Sequence, residues 1–254
     1  MAFGKSMIVA RTDLSMAMKV SYVKYGLILT AAIGPIMAIG TVGLLVFTVS
    51  SATELAAIMQ VMSPILSPMI GMVAIIPASL IAANALVGER EQNTLEPLLC
   101  TPLTDRELLT GKVLSSFIPS VILLLGSIVV TEIATITIFL TAGFQPMLFP
   151  DITGLFLLLT AGPLMILAMN SIMILISGRV SRVYEAYQVS GATVMVFILP
   201  MLLPMVTMNP EGAINPDAVW FSDIITIFIA VVLFLITWAL AFGRFNRDRM
   251  VSLV

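Results

Sequence analysis

Six apolar runs organise the chain: residues 26–49, 64–87, 113–141, 154–176, 189–208 and 221–242. Each is about 20 residues or longer, the length at which a helix rising about 1.5 Å per residue crosses roughly 30 Å of hydrocarbon. The runs lack the strict alternation of lipid-facing barrel strands, so the expected fold is all-α, a polytopic bundle of six transmembrane helices. Between the runs the polar segments are short, except for three. Residues 1–25 form a leader, 88–112 a charged loop and 208–223 an acidic loop. Together they make one membrane domain, 1–254.

Composition agrees with the pattern. Hydrophobic residues make up 59% of the chain and charged residues only 10%, far below the quarter or so typical of soluble domains. There is no histidine and a single cysteine, Cys100. Imidazole acid–base chemistry, histidine-based zinc sites and an intramolecular disulfide are therefore all excluded. The 18 methionines raise the possibility of Cu(I), but they are scattered over most spans and fit flexible apolar packing better. No metal is expected. The net charge of −2 is uninformative, and nothing points to nucleic acid.

The distribution of charge says more. All 12 basic residues fall in alternate polar segments. Lys5, Arg11, Lys19 and Lys24 are in the leader; Arg90, Arg106 and Lys112 in the 88–112 loop. Arg179 and Arg182 follow the fourth run, and Arg244, Arg247 and Arg249 follow the sixth. The opposite segments hold only acids, Glu54, Asp151, Glu211, Asp217 and Asp223. By the bias of Lys and Arg towards cytoplasmic loops, both termini and the 88–112 loop face the cytoplasm. In the leader, Met7, Leu14, Met18, Tyr22 and Tyr25 can share one helical face, which predicts an interfacial helix; a plain basic lead into the first span is the alternative.

The 88–112 loop concentrates Glu89, Arg90, Glu91 and Glu96 in a chain otherwise poor in charge. Asn93 tolerates positive φ and can end the preceding helix. A short helix can then start near Thr94 or Glu96, with Pro97 in its first turn and Pro102 after its end. Leu95, Leu98 and Leu99 would give that helix an apolar face without a partner. Thr104–Glu107, TDRE, is a capping box that opens the third span.

The stretch GEREQNTLEPLLCTPLTDRELLTGK resembles the loop of type-2 ATP-binding-cassette (ABC) exporter permeases, approximately E-R-E-x-G-T-L-E-x-L-L-x-T-P-[LIV]-[ST]-x-x-E-L-L-x-G-K. It departs at Asn93, where that family most often has Gly, and at Pro97 inside the short helix. The resemblance implies a cytoplasmic coupling helix seated in a groove of a separate cytosolic ATPase. Thr94, Leu95, Glu96, Leu98 and Leu99 would fill the groove, and Glu89, Arg90 and Glu91 would meet its charged rim. Arg179 and Arg182 would add a weaker contact. No G-x-x-x-x-G-K-[ST] motif occurs, so the chain is not expected to be an enzyme, nor to bind a cofactor itself. ATP and Mg would belong to two copies of the ATPase subunit, working with this permease and a second permease chain, identical or not, in the plasma membrane. The resemblance also implies short re-entrant helices within 208–223, the alternative being a simple acidic loop.

Three polar residues inside the apolar runs are candidates for a translocation pathway, Glu132, Asn84 and Asn170. Glu132 is the one acid away from the end of a span. Counting from Lys112 places it near the outer surface, where it would either be structurally paired or line the outer pathway. A secondary transporter or ion channel using Glu132 as an ion-coupling site is the rival reading.

Overall fold

The computed structural model describes residues 2–91, 103–177, 180, 182–203 and 216–244. Among the described residues all regular structure is helical. The helices are α1 (Ala2–Ala17), α2 (Ser21–Thr48), α3 (Ala52–Glu91), α4 (Asp105–Thr141), α5 (Ile152–Ser177), α6 (Val183–Ile198) and α7 (Pro216–Arg244), with a 3-10 turn at Leu199–Leu202 after α6. Five helices, α2, α3, α4, α5 and α7, are long and apolar enough to cross a membrane. Helix α3 is central and largely buried, whereas α2 and α7 turn most of their surface outward.

Of the expected fifth span, 189–208, the described residues reach 203: helix α6 has 16 residues and runs directly into the 3-10 turn Leu199–Leu202. That turn carries Pro200 near its start. Residues 204–215 lie outside the described residues, so the re-entrant loop expected at 208–223 is seen only from Pro216 onward, as the first turns of α7. Elsewhere the helices run through their prolines: Pro35 in α2, Pro64, Pro68 and Pro77 in α3, Pro119 in α4 and Pro163 in α5.

Helix α4 shows the packing rule. Its buried stripe holds Lys112, Ser115, Ser116, Ser120, Ser127, Thr131 and Thr135, while Ile122, Leu125, Val129, Val130, Ile133 and Leu140 are exposed. In lipid, large aliphatic side chains gain nothing by turning inward, and small hydroxylated ones let helices approach closely. The hydroxyls are satisfied mostly by the carbonyl three or four residues earlier, as in Thr131 Oγ1 to Ser127 O at 2.8 Å and Ser120 Oγ to Ser116 O at 2.7 Å. Helices α2 and α3 meet by the same logic at Gly34, where an added Cβ would collide with the Val73 side chain and stand 3.3 Å from Met69 O.

Helix α1 carries only part of the expected shared face of Met7, Leu14, Met18, Tyr22 and Tyr25, and its Leu14 packs half-buried against Ala17, Val23, Leu27 and Ile81. The chain turns at residues 18–20, which puts Tyr22 and Tyr25 on α2, and Met7, Met18, Tyr22 and Tyr25 are all exposed. The buried face is Ser6, Val9, Ala10, Asp13 and Ala17, a set of small and polar residues at helical spacing. The larger apolar side chains are left outward, where a bilayer interface can take them.

The contact at Gly34 is open to a paired test by thermal unfolding in detergent. Gly34→Leu should destabilise the protein by about 1–3 kcal/mol through overpacking. Gly40→Leu on the same helix, where a Cβ meets nothing within 4 Å, should leave the midpoint unchanged.

Candidate functional site at the basic end of the bundle

The N-terminus of α4 is built as its sequence predicts. Thr104 Oγ1 accepts from Glu107 N at 3.2 Å, and Glu107 Oε2 accepts from Thr104 N at 2.9 Å. Two backbone donors with no partner inside the helix are thereby satisfied. Leu108 and Leu109 follow as buried side chains, which commits the first turn of α4 to the protein interior.

The next two residues dock α1. At Gly111 an added Cβ would stand 2.7 Å from Val9 Cβ and 2.9 Å from Ser6 O, so only glycine admits this approach. Ser6 Oγ and Thr110 Oγ1 share a hydrogen bond of 3.0 Å across the contact. One residue on, Lys112 is fully buried, and its Nζ lies 3.3 Å from Asp13 Oδ2. Burial pushes the Asp13 carboxyl above its ordinary range, and the Lys112 ammonium, by its charge and its hydrogen bond, opposes that shift. Desolvating either charge alone is strongly unfavourable, so each makes the other tolerable in the interior.

A second set of contacts ties α3 to α6. Asn84 Nδ2 donates to Tyr187 Oη at 2.6 Å, and the Tyr187 ring lies 4.8 Å from that of Tyr22 on α2. Asn84 is thus a strut between helices that border the two loops expected to be cytoplasmic. Arg182 is exposed and occupies the N-cap position of α6 in extended conformation. Helix α3 carries Glu89, Arg90 and Glu91 in its last turn. The side chains of those three, all of Asn93, Thr94, Leu95, Glu96, Leu98 and Leu99, and Arg179 lie outside what the structure describes.

The other pathway candidates sit elsewhere. Asn170 on α5 is fully buried. In the amide orientation that satisfies its neighbours, its nitrogen donates to Ala78 O and Ser116 Oγ, both at 3.2 Å, and its oxygen accepts from Phe117 N at 3.3 Å. It therefore joins α3, α4 and α5 in the bundle interior. Glu132, towards the opposite, acidic end of the bundle, accepts from Phe149 N through Oε2 at 3.3 Å, while its buried Oε1 has no partner among the described residues. At the same end Asp151 accepts from Ser63 Oγ at 2.6 Å, from Gly154 N at 3.0 Å and from Thr153 Oγ1, capping α5 and bonding it to α3. Asn84, Asn170 and Glu132 each bond a different set of groups. No cluster of three metal-ligating side chains occurs among the described residues.

Sequence reasoning missed Asp13, Tyr187 and the role of Lys112. Asp13 was legible in one respect, since it continues the spacing of Ser6, Val9, Ala10 and Ala17 along the small-residue face of α1. Its partner was not, because 99 residues separate the two.

Removing one half of the ion pair should be worse than removing both. Asp13→Asn or Lys112→Met alone should destabilise the detergent-solubilised protein by about 3–5 kcal/mol, and the double variant should recover most of that loss. Thermal unfolding of the four proteins reads it directly.

The sequence matches the family model described as ABC-2 family transporter protein over residues 12–217. That span takes in Asp13, the whole 88–112 loop and helices α2 to α6. No curated protein matches the chain. Apolar helices of spanning length, a capped α4 that receives α1, and a family match over most of the sequence lead to one conclusion: the chain belongs to the ABC-2 family of transporter membrane proteins.

Proposed function

We propose that this chain is the permease subunit of an ABC exporter, driven by a separate cytosolic ATPase. The observation that carries the reading is the family match across 12–217, which includes the loop where the coupling helix is expected. Six spans are needed, the fifth over residues 189–208. The one-sided distribution of Lys and Arg puts the basic end and both termini in the cytoplasm of a plasma-membrane protein. Two permease chains and two ATPase subunits make the working unit, with ATP and Mg held by the ATPases.

In this mechanism the chain performs no bond chemistry. Thr94, Leu95, Glu96, Leu98 and Leu99 sit in the ATPase groove, and Glu89, Arg90, Glu91, Arg179 and Arg182 meet its rim. Movement of that groove pulls on the end of α3 and on the start of α4. The capping box at Thr104–Glu107 makes the start of α4 stiff, and the Asp13–Lys112 pair makes α1 travel with it. Stiffness matters because displacement at a flexible joint would be lost before it reached the spans. The Asn84–Tyr187 bond gives α6 a share of the same motion. The path would pass between the two permeases, with Asn84, Asn170 and Glu132 as polar points near it.

Ion coupling at Glu132 is the second reading, and the buried, unpartnered Oε1 is the observation in its favour. Co-expression with the ATPase separates the two. Glu96→Lys and Leu98→Asp should each lower permease–ATPase association by at least about tenfold and abolish transport-coupled hydrolysis. If neither does, the coupling helix is wrongly placed. Glu132→Gln should leave assembly, hydrolysis and transport close to wild type; loss of transport alone, with assembly and hydrolysis intact, would favour ion coupling.

A further inference from the structure

A cleft opens sideways at the corner where α1 turns into α2. It has a volume of about 620 Å³, within the range of ligand sites. Leu14 and Met18 form its end at α1, Leu27, Ile28 and Ala31 one wall on α2, and the α4 segment from Pro119 to Leu123 the other. The lining is almost wholly apolar, and the one charged side chain on it is Lys24. Lys24 is exposed, as is Lys19 in the turn just before α2. No carboxylate among the described residues lies within ion-pair distance of either lysine.

The cleft has a direction. From Lys24 to Ala32 the α2 wall runs eight residues, about 12 Å along the helix axis. Half of a hydrocarbon core roughly 30 Å thick is about 15 Å. The apolar part therefore matches the depth of a single leaflet, with its cation at the end where α1 lies and where headgroups would be. An amphipathic molecule with an anionic head and an apolar tail meets both features in the right order.

We propose that this cleft is a binding site for an anionic phospholipid of the leaflet at the basic end of the bundle. The phosphate sits against Lys24 and Lys19, and an acyl chain lies between α2 and α4. The lysine stems can lie along the chain while their ammonium groups stay at the headgroup level. Basic residues at such a surface favour anionic over zwitterionic lipid. A tail in the cleft also fills the space between α2 and α4 beside the α1–α2 turn. The site needs neither an ATPase nor a particular cargo, so it stands or falls separately from the transport mechanism.

Native mass spectrometry of the purified protein, equilibrated with equal amounts of phosphatidylglycerol and phosphatidylcholine, tests it. Wild type should retain phosphatidylglycerol in preference. Lys24→Gln should reduce that preference about fivefold, and Lys19→Gln with Lys24→Gln further still. Ala31→Trp, which fills the cleft, should remove a retained lipid of either kind while elution volume and unfolding midpoint stay near wild type. Should Ala31→Trp unfold the protein, Ile28→Phe at the exposed margin is the substitute and should weaken retention in the same way. Equal retention of both lipids by wild type, or unchanged preference in the lysine variants, would overturn the proposal. So would disulfide cross-linking between two copies through Ile28→Cys in a Cys100→Ser background, because the cleft would then be a protein interface.

Discussion

A lysine with no exposed surface, lying next to an aspartate from the other end of a 99-residue separation, is the contact on which the basic end of this protein depends. Neither charge is tolerable there alone. Their pairing requires α1 to lie against α4 at one height and in one rotation, and the glycine beside Lys112 is what lets the two backbones come close enough. The capping box seven residues earlier begins α4 at a defined point. The loop between α3 and α4 therefore emerges from a joint whose parts are individually fixed. In the function proposed above, that loop is where force from an ATPase would enter.

The remainder of the bundle obeys the solvent it is built for. In water the largest apolar side chains would face inward; here many face out, and serine, threonine, alanine and glycine join leucine, isoleucine and methionine in the helix contacts. The principle accounts for the hydroxyl-lined stripe of α4, the approach of α2 to α3 at Gly34 and the small-residue face of α1. It also accounts for the few polar residues that remain inside. Asn170 bonds three helices, Asp151 caps α5 and bonds it to α3, and Asn84 reaches Tyr187. These are expensive groups to bury unless satisfied, and satisfaction makes them specific joints.

Much of the fold was legible because it follows from local rules. Run length marked five of the membrane-spanning helices, and TDRE marked the start of α4 to the residue. The failures share a physical cause. The expected face of α1 is divided because the chain turns at residues 18–20, which puts Tyr22 and Tyr25 on α2, and hydrophobic spacing alone does not mark that turn. The Asp13–Lys112 pair depends on tertiary proximity, to which helical periodicity is blind. Of the expected ATPase-contacting residues, Arg182 is found exposed at the head of α6; those from Thr94 to Leu99 stand on sequence alone.

The central claim is that α1 and α4 form one rigid unit that carries motion from the ATPase into the membrane. Spin labels at Ile8 and Ile122, both exposed, measure that unit in a Cys100→Ser background, and labels at Ile8 and Leu240 measure it against α7. Distances would be taken by pulsed electron resonance on the complete permease–ATPase complex, with and without trapped nucleotide. The account predicts an unchanged distance between Ile8 and Ile122 and a shifted one between Ile8 and Leu240. A nucleotide-dependent change between Ile8 and Ile122 would contradict it.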